Sequence, residues 1–317
     1  MENDLIDISD QDKREKFFAG IISTHDDSVY SIGYGTENGE YYGARRNGNN
    51  EIEIMRNDSS TGGSSWYYSI NENMTATEIA VKAGKFDPRT RDWYKSAASA
   101  GKPVFSPIYK HFFMDDLTVS AAYPIYDNAN NLQGVLGTHL LLSDIAAFLE
   151  ASFENRNGFA AVFEKYSEEL IATSMGIDVF TTQADNTMKR QNLNDLGDSD
   201  VTDAYNYYLT NNENHFRIKG AKSNLYINVS EVSLDGIEWI LVSAVPASQF
   251  MDDIVSSMLW SILVSVIILI GLVLIYYYLV RKIAKPINQL LHASSAFSAG
   301  ELSQRVTCEP SPPKPRA

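Results

Sequence analysis

The residues with the clearest chemical potential lie in one run, Asp87-Pro88-Arg89-Thr90-Arg91-Asp92-Trp93-Tyr94. A guanidinium offers a planar fork of donors that matches a carboxylate, and aromatic walls beside it exclude water and strengthen that bond. The run also has a purely structural reading, in which Arg91 pairs with Asp87 or Asp92 and braces a helix. Trp93 and Tyr94 are adjacent, so a helix sends them in different directions. Other chemistry is poorly provided for. There is no G-x-S-x-G, no H-E-x-x-H and no phosphate-cradling glycine loop. His25, His111, His139, His215 and His292 are scattered, which argues against a zinc cluster. Asp195, Asp198 and Asp200 lack the spacing of an EF-hand and read as a solvated acidic loop. No catalytic residue, metal ligand or cofactor site is assigned.

What must hold that run in place is set by a second feature, the stretch Ile254–Val280, which has no charged residue and no proline. As a helix it spans about 40 Å at ~1.5 Å per residue, enough to cross a ~30 Å hydrocarbon core. Trp260 near one end and Tyr276, Tyr277 and Tyr278 near the other suit the two interfaces. Arg281, Lys282 and Lys285 follow it, so the basic end belongs in the cytoplasm and residues 1–253 outside.

The chain has 317 residues and a net charge of −14. Without a basic run in its outer part, it offers no footprint for nucleic acid. Roughly 250 residues precede the apolar stretch, room for one or two domains with ample core. The only cysteine, Cys308, lies on the cytoplasmic side, so the outer part rests on packing alone. Residues 1–20 carry no apolar export signal. The expectation is a membrane helix upstream of this chain.

The patterning gives an α+β chain. Residues 9–24 read as a helix with the stripe Phe17, Phe18, Ile21, Ile22. From Ser28 the period becomes two, with strands at 29–34, 40–45, 51–56 and 66–70 and a type I′ turn expected at Asn38-Gly39. Asp87 caps and Pro88 starts a helix that continues through Ala97 and Ala98. Strands follow at 104–109, 117–126 and 132–141, then a helix capped at Ser143-Asp144. A second antiparallel unit is built from 158–164, 169–173, 215–218, 223–232 and 238–244, with loop at 183–200 and a short helix at 202–209. After the apolar stretch, Ile287, Leu290, Leu291, Ser294 and Phe297 share one face of another helix. The tail 308–317 is too rich in proline to be helical.

Three stretches together carry a resemblance. Asp87-Pro88-Arg89-Thr90-Arg91-Asp92-Trp93-Tyr94 resembles the D-P-R-x-R-x-W-Y motif of double Cache sensor domains, tandem PAS-like units on the outer face of prokaryotic receptors. Gly134-Val135-Leu136-Gly137 with Ser143-Asp144 is similar to the strand and helix that close the membrane-distal unit. Lys285-Pro286-Ile287 with Gly300-Glu301-Leu302 resembles the first helix and connector of a HAMP linker. The resemblance covers residues 17–306. It implies an N-terminal signalling helix at 1–27, a distal ligand-binding unit at 28–153 and a proximal PAS-like unit at 154–250. The transmembrane helix (254–280), a partial HAMP linker (281–307) and the tail then follow.

In relatives that bind amino acids, the motif arginine and tryptophan hold the ligand carboxylate with help from a later tyrosine; Arg91, Trp93, Tyr94 and Tyr109 match those positions. An aspartate that meets the ligand ammonium is expected two residues after Gly137, where this chain has His139. A tyrosine often stands where Phe86 does. The ligand expected is therefore an organic anion without an α-amine, with an amino acid as the alternative. Thr118 and Ser120 on the preceding strand are weaker candidates for contact. The resemblance implies a homodimer in the cytoplasmic membrane, the sensory half of a receptor. Its output would be a histidine kinase, a nucleotide cyclase (diguanylate type included) or a chemotaxis signalling domain. A membrane-anchored extracellular hydrolase or adhesion module, and a truncated receptor that does not signal, are the competing readings.

Overall fold

In the computed structural model, residues 8–25, 29–154, 156–185 and 187–300 are described. The chain opens with α1 (Gln11–Thr24), capped by the Asp10 side chain on the Lys13 amide. Nine strands follow in one antiparallel sheet: β1 (Ser31–Thr36), β2 (Tyr41–Arg46), β3 (Ile52–Asn57), β4 (Ser64–Ile70), β5 (Ala76–Lys85), β6 (Val104–Phe105), β7 (Tyr109–Lys110), β8 (Leu117–Tyr126) and β9 (Leu132–Leu141). Their order is β5-β4-β3-β2-β1-β9-β8-β6, with β7 also on β8. The helix α2 (Asp92–Ala100) lies between β5 and β6 in sequence.

Both faces of this sheet are covered, which is why its strands read as continuous buried runs rather than apolar-in, polar-out. On one face Phe18, Ala19 and Ile22 of α1 pack on Ile32, Tyr34, Tyr42 and Ile54. On the other, Trp93, Tyr94 and Ala97 of α2 pack with Tyr41, Met55 and Tyr67.

Several expectations are corrected. The turn between β1 and β2 has three residues, closed by Thr36 N–Glu40 O at 2.9 Å, and only Gly39 (φ 85°) is left-handed. That is a type I turn with a glycine bulge, since Asn38 does not take the positive φ that type I′ demands. The helix expected from Pro88 is two pieces. A 3₁₀ turn, Pro88–Thr90, is capped by Asp87; the backbone then extends at Arg91 (φ −85°, ψ 147°) before α2 begins. The strand expected at 104–109 is broken into β6 and β7. No strand was expected at the exposed edge strand β5, although Ile79, Val81 and Ala83 alternate along it. Ser143 does not cap the following helix, α3 (Leu142–Phe153); its hydroxyl bonds Asp116 instead.

The second sheet comprises β10 (Phe159–Glu164), β11 (Leu170–Thr173), β14 (His215–Lys219), β15 (Asn224–Leu234) and β16 (Ile237–Pro246), in the order β11-β10-β16-β15-β14. The segment expected as loop at 183–200 contains β13 (Met188–Arg190), paired with β12 (Phe180–Thr182). It also contains a 3₁₀ turn at Leu193–Leu196 and the start of α4 (Ser199–Asn211). Asp198 caps α4 through the Asp200 amide. The core under α4 is Phe163, Tyr205, Ile240 and Val242, all fully buried. The two sheets touch where the β15–β16 turn meets β6: Phe105 N donates to Asp235 O at 2.7 Å. A β-carbon on Gly236 (φ 96°) would overlap the Phe105 carbonyl, so only glycine allows this approach.

The remaining unit, residues 250–317, is separate. α5 (Ala247–Leu279) passes through a π-helical turn at Val280–Ala284 into α6 (Lys285–Ser298). Among the described residues, Val255–Ala296 is the one helix long and apolar enough to cross a membrane. The side chains of Phe250–Ile254 and Phe297, and all of residues 301–317, lie outside the described residues, including Val306, Cys308 and the proline-rich tail.

Candidate functional site

Glycine opens the floor of the site. Gly43, Gly33 and Gly137 stand side by side across β2, β1 and β9. A β-carbon at Gly33 would overlap the Tyr41 phenol, and one at Gly137 would lie 3.0 Å from the His139 ring and 3.1 Å from Trp93. The absent side chains are what allow Tyr41, Trp93 and His139 to lie over the centre of the sheet. The neighbouring row is polar: Ser120, His139, Ser31, Arg45 and Glu53 pair in order across β8, β9, β1, β2 and β3.

Above this floor is a cavity of about 40 Å³. One wall is aromatic, with Tyr41, Tyr67, Phe86, Trp93, Tyr109 and Phe112. The polar lining is Arg45, Arg91, His111 and His139, with Ser31 and Tyr30; no carboxylate among the described residues lines it.

The two guanidiniums differ in what already holds them. Arg45 bonds Glu53 Oε2 through Nε at 2.9 Å and Nη2 at 2.8 Å, reaches Tyr30 Oη at 3.3 Å, and lies 3.4 Å over the Tyr67 ring. Arg91 donates Nη2 to the Lys110 carbonyl at 2.9 Å and stands 5.4 Å from the Tyr109 ring centroid. Among the described residues it has no carboxylate partner. Of the two partners its structural reading offered, Asp87 is taken by Arg89 at 2.8 Å and Asp92, exposed at the start of α2, forms no ion pair among the described residues. The extended backbone at Arg91, between the 3₁₀ turn and α2, is what turns its side chain away from that pair and into the cavity.

His139 is held on both ring nitrogens. Nδ1 lies 2.7 Å from Ser120 Oγ and 3.4 Å from Tyr109 Oη, and Nε2 lies 3.2 Å from Tyr41 Oη. Its ring meets Trp93 edge-on at 5.2 Å. Burial, then His111 and Arg91, pushes its pKa down to about 3. Burial, then Arg91 and Arg45, does the same to His111. Both imidazoles are thus neutral at ordinary pH, and the excess positive charge of the cavity rests on Arg91.

Of the residues singled out by sequence, Arg91, Trp93, Tyr109 and His139 come together in the lining. Tyr94 turns away and donates to Glu37. Thr118 is fully buried beside Tyr109 on β8, outside the lining, with its hydroxyl unbonded among the described residues. Sequence reasoning missed Tyr41, Arg45 and Tyr67. The signal for Tyr41 and Arg45 was available in the β1–β2 hairpin, where glycine alternates with polar and aromatic residues on one face: Ser31, Gly33, Gly35 against Tyr41, Gly43, Arg45. His111 and Phe112 sit after β7 in a segment without period and gave no signal.

A wider, open cleft of about 430 Å³ lies in the second unit at the N-terminus of α4, lined in part by Asp198, Asp200 and Lys222. Its acids are already engaged, Asp198 as the helix cap and Asp200 on the Ala221 amide at 2.9 Å.

Residues 12–147 match the family model for the methyl-accepting chemotaxis protein-like, first PDC sensor domain. A methyl-accepting chemotaxis protein of Bacillus thuringiensis is 24% identical over 262 residues, covering 81% of this chain and 34% of the relative. McpC, a methyl-accepting chemotaxis protein of Bacillus subtilis, is 27% identical over 230 residues, covering 71% of this chain and 30% of the relative. The chain thus spans about a third of the length of the curated relatives it matches. Among solved structures, the ligand-binding domain of the Campylobacter jejuni chemoreceptor Tlp3, in complex with 4-methylisoleucine, aligns with 74% of this chain and 69% of that one. The identity is 14% and the TM-score 0.41.

Proposed function

We propose, from the premise that residues 12–147 are a sensor domain of the methyl-accepting chemotaxis protein-like PDC family, that the chain is the sensory part of a transmembrane receptor. It takes a small carboxylate-bearing molecule into the cavity beneath α2. The observation that carries this reading is Arg91: a guanidinium facing a mostly aromatic cavity, with no carboxylate partner among the described residues. Free donors in such a place bind an anion with a strength that water would otherwise dilute.

In this reading the first sheet is the outer, membrane-distal unit and the second is the proximal one. Residues 1–253 face the outside and residues 281–317 the cytoplasm, as the basic cluster Arg281, Lys282 and Lys285 favours. Ile287, Leu290 and Leu291 are exposed on α6, and an apolar helix seam of this kind is covered by a second copy in a parallel dimer. Signalling requires the ligand to prefer one of two arrangements of the chain. A covalent and hydrogen-bonded route out of the cavity runs along α2 to β6, from the Phe105 amide to the Asp235–Gly236 turn, and along β16. That strand passes into α5 without a loop.

Isothermal titration of the chain in lipid nanodiscs against a panel of carboxylic and amino acids tests the reading. Binding of at least one acid is expected, lost in Arg91→Ala. A panel without any binder, or binding indifferent to Arg91, would sink it. The orientation has its own check: protease added to intact cells is expected to cleave before residue 250.

A further inference from the structure

The chain already places a substitute ligand in its own site. The Lys110 carbonyl occupies a donor of Arg91 at 2.9 Å, where a ligand carboxylate oxygen would sit. Two residues on, the Phe112 ring lines the same cavity and packs against Phe86 at 4.8 Å and 58°. An acceptor on the guanidinium and a phenyl ring on the aromatic wall are the two halves of an aromatic acid. The cavity left over, about 40 Å³, has room for only a few water molecules at roughly 10–15 Å³ each. A ligand of any size must therefore displace something, and the candidate is the Phe112 ring, just beyond the end of β7. Phe112 is half-buried, outside any strand or helix, and followed by the exposed Phe113.

We propose that the segment Lys110–Phe112 acts as a built-in plug, and that the ligand that displaces it is an aromatic carboxylate without a charged amine. This rests on the sensor reading above and deepens it.

The ring is selected by the wall it joins. Tyr41 meets Phe86 at 5.3 Å and 79°, and Trp93 at 6.0 Å and 70°. Such edge-to-face clusters accept another ring in place of a lost one better than an aliphatic chain. The amine is excluded by charge. An ammonium entering the cavity meets two guanidiniums and two neutral imidazoles. Four of the nearby acids are committed elsewhere, while Asp92 is exposed at the start of α2 and Asp144 acts on Tyr30 from α3. Glu53 is clamped by Arg45 and by Asn47 at 3.2 Å; Glu37 accepts from Tyr94; Asp87 pairs with Arg89; Asp116 accepts from Ser143 and from the Leu117 amide. A buried cation without a partner is a strong discriminator against an otherwise identical ligand.

The test uses the full chain in nanodiscs with a matched pair, 3-phenylpropionate and L-phenylalanine, which share ring and carboxylate and differ by the α-ammonium. A Kd for 3-phenylpropionate at least about 100-fold below that for L-phenylalanine is expected. Phe112→Ala is expected to tighten 3-phenylpropionate by about tenfold, because the competent state no longer has to be vacated. Phe112→Leu, which keeps the loop apolar, is expected to fall between. Equal or tighter binding of L-phenylalanine overturns the ligand class while leaving the sensor reading intact. Binding of aliphatic acids alone overturns the aromatic requirement. Unchanged or weakened affinity in both Phe112 variants, with wild-type thermal unfolding, overturns the plug. A whole panel without any Arg91-dependent binder counts instead against the sensor reading itself.

Discussion

The two sheets share a plan and differ in their centre rows. Across the first, the row reads Met55, Gly43, Gly33, Gly137, Ala122. Across the second it reads Val229, Val242, Ala161, Thr173. Side chains in the second row fill the space under α4, where Phe163 and Tyr205 close a dry core with rings 5.6 Å apart. Their absence in the first row leaves that volume to larger side chains arriving from elsewhere, and with them to a cavity. A layer of β-carbons thus separates a sheet with a cavity over its centre from a sheet with a packed one. Polar residues differ too: His139, Arg45 and Glu53 are buried beside the glycine row, whereas the second unit's Lys165–Glu231 pair at 2.8 Å lies about one-third exposed.

The sharpest test of that division removes the half-buried guanidinium that faces the cavity of the first unit. Arg91→Ala is expected to weaken carboxylate binding by at least about 100-fold, in the range for truncating one partner of a desolvated charge pair. Arg190→Ala in the second unit removes a guanidinium that bonds Glu164 at 2.7 Å, and it is expected to lower stability while leaving affinity unchanged. Paired titration and thermal unfolding of the two variants separates the effects.

Next come the rows themselves. Gly33→Ala is expected to push the Tyr41 phenol off its position, breaking its contact with His139 Nε2. Overpacking of this kind costs about 1–3 kcal/mol, and binding falls with it. Val242→Ala opens the opposite defect in the second sheet, a hole in a fully buried row, at about 2–3 kcal/mol from lost packing. Its affinity is expected to stay at the wild-type value. Equal loss of binding in both variants would break the contrast between the units.

Acid should also tell the units apart. His139 and His111 have pKa values pushed down to about 3 from an unfolded value near 6.5. Between those limits the unfolded chain binds protons that the folded chain refuses, so stability is full above pH 6.5 and falls as pH drops. The slope is about 1.4 kcal/mol per pH unit for each histidine. Asp116, whose carboxyl burial holds above its usual value, offsets part of this near pH 4. In the second unit, burial raises the Glu164 carboxyl but its bonds to Arg190 outweigh that and hold it below 4.5, so its contribution is lost only below that value. Amide exchange at pH 5 is expected to show β1, β2 and β9 opening before β10 and β16. His139→Gln, which keeps a neutral ring-sized donor and acceptor, is expected to halve the acid slope of the first unit.

What the sequence allowed one to read follows from where the determinants are local. The strands β8 and β9 were legible to the residue because alternation and the turn at 127–131 are local signals. Arg91 and Trp93 were legible because a short motif holds both. Arg45 was not, because its value depends on a register across two further strands that bring it beside Ser31 and over Tyr67. The break at Arg91 was missed for a different reason. Asp87 and Pro88 are sound helix-start residues, and nothing nearby announces that the chain would spend them on a single 3₁₀ turn and start again. β5 was missed although Ile79, Val81 and Ala83 repeat at period two, because its other positions are small or charged and mostly exposed.

The smallest expected effect concerns the contact between the two units. Lys102 pairs with Asp235 at 2.9 Å, and both side chains are more than half exposed. Solvent screens such a pair, and its removal costs at most about 1 kcal/mol. The junction is held instead by the Phe105 amide on the Asp235 carbonyl and by the close backbone approach at Gly236, neither of which needs a side chain. Lys102→Met is therefore expected to change neither the unfolding midpoint by more than a few degrees nor the affinity for a carboxylate. A large loss of signalling in that variant, with binding intact, would mean that the ion pair and not the backbone bond couples the binding sheet to the spacer.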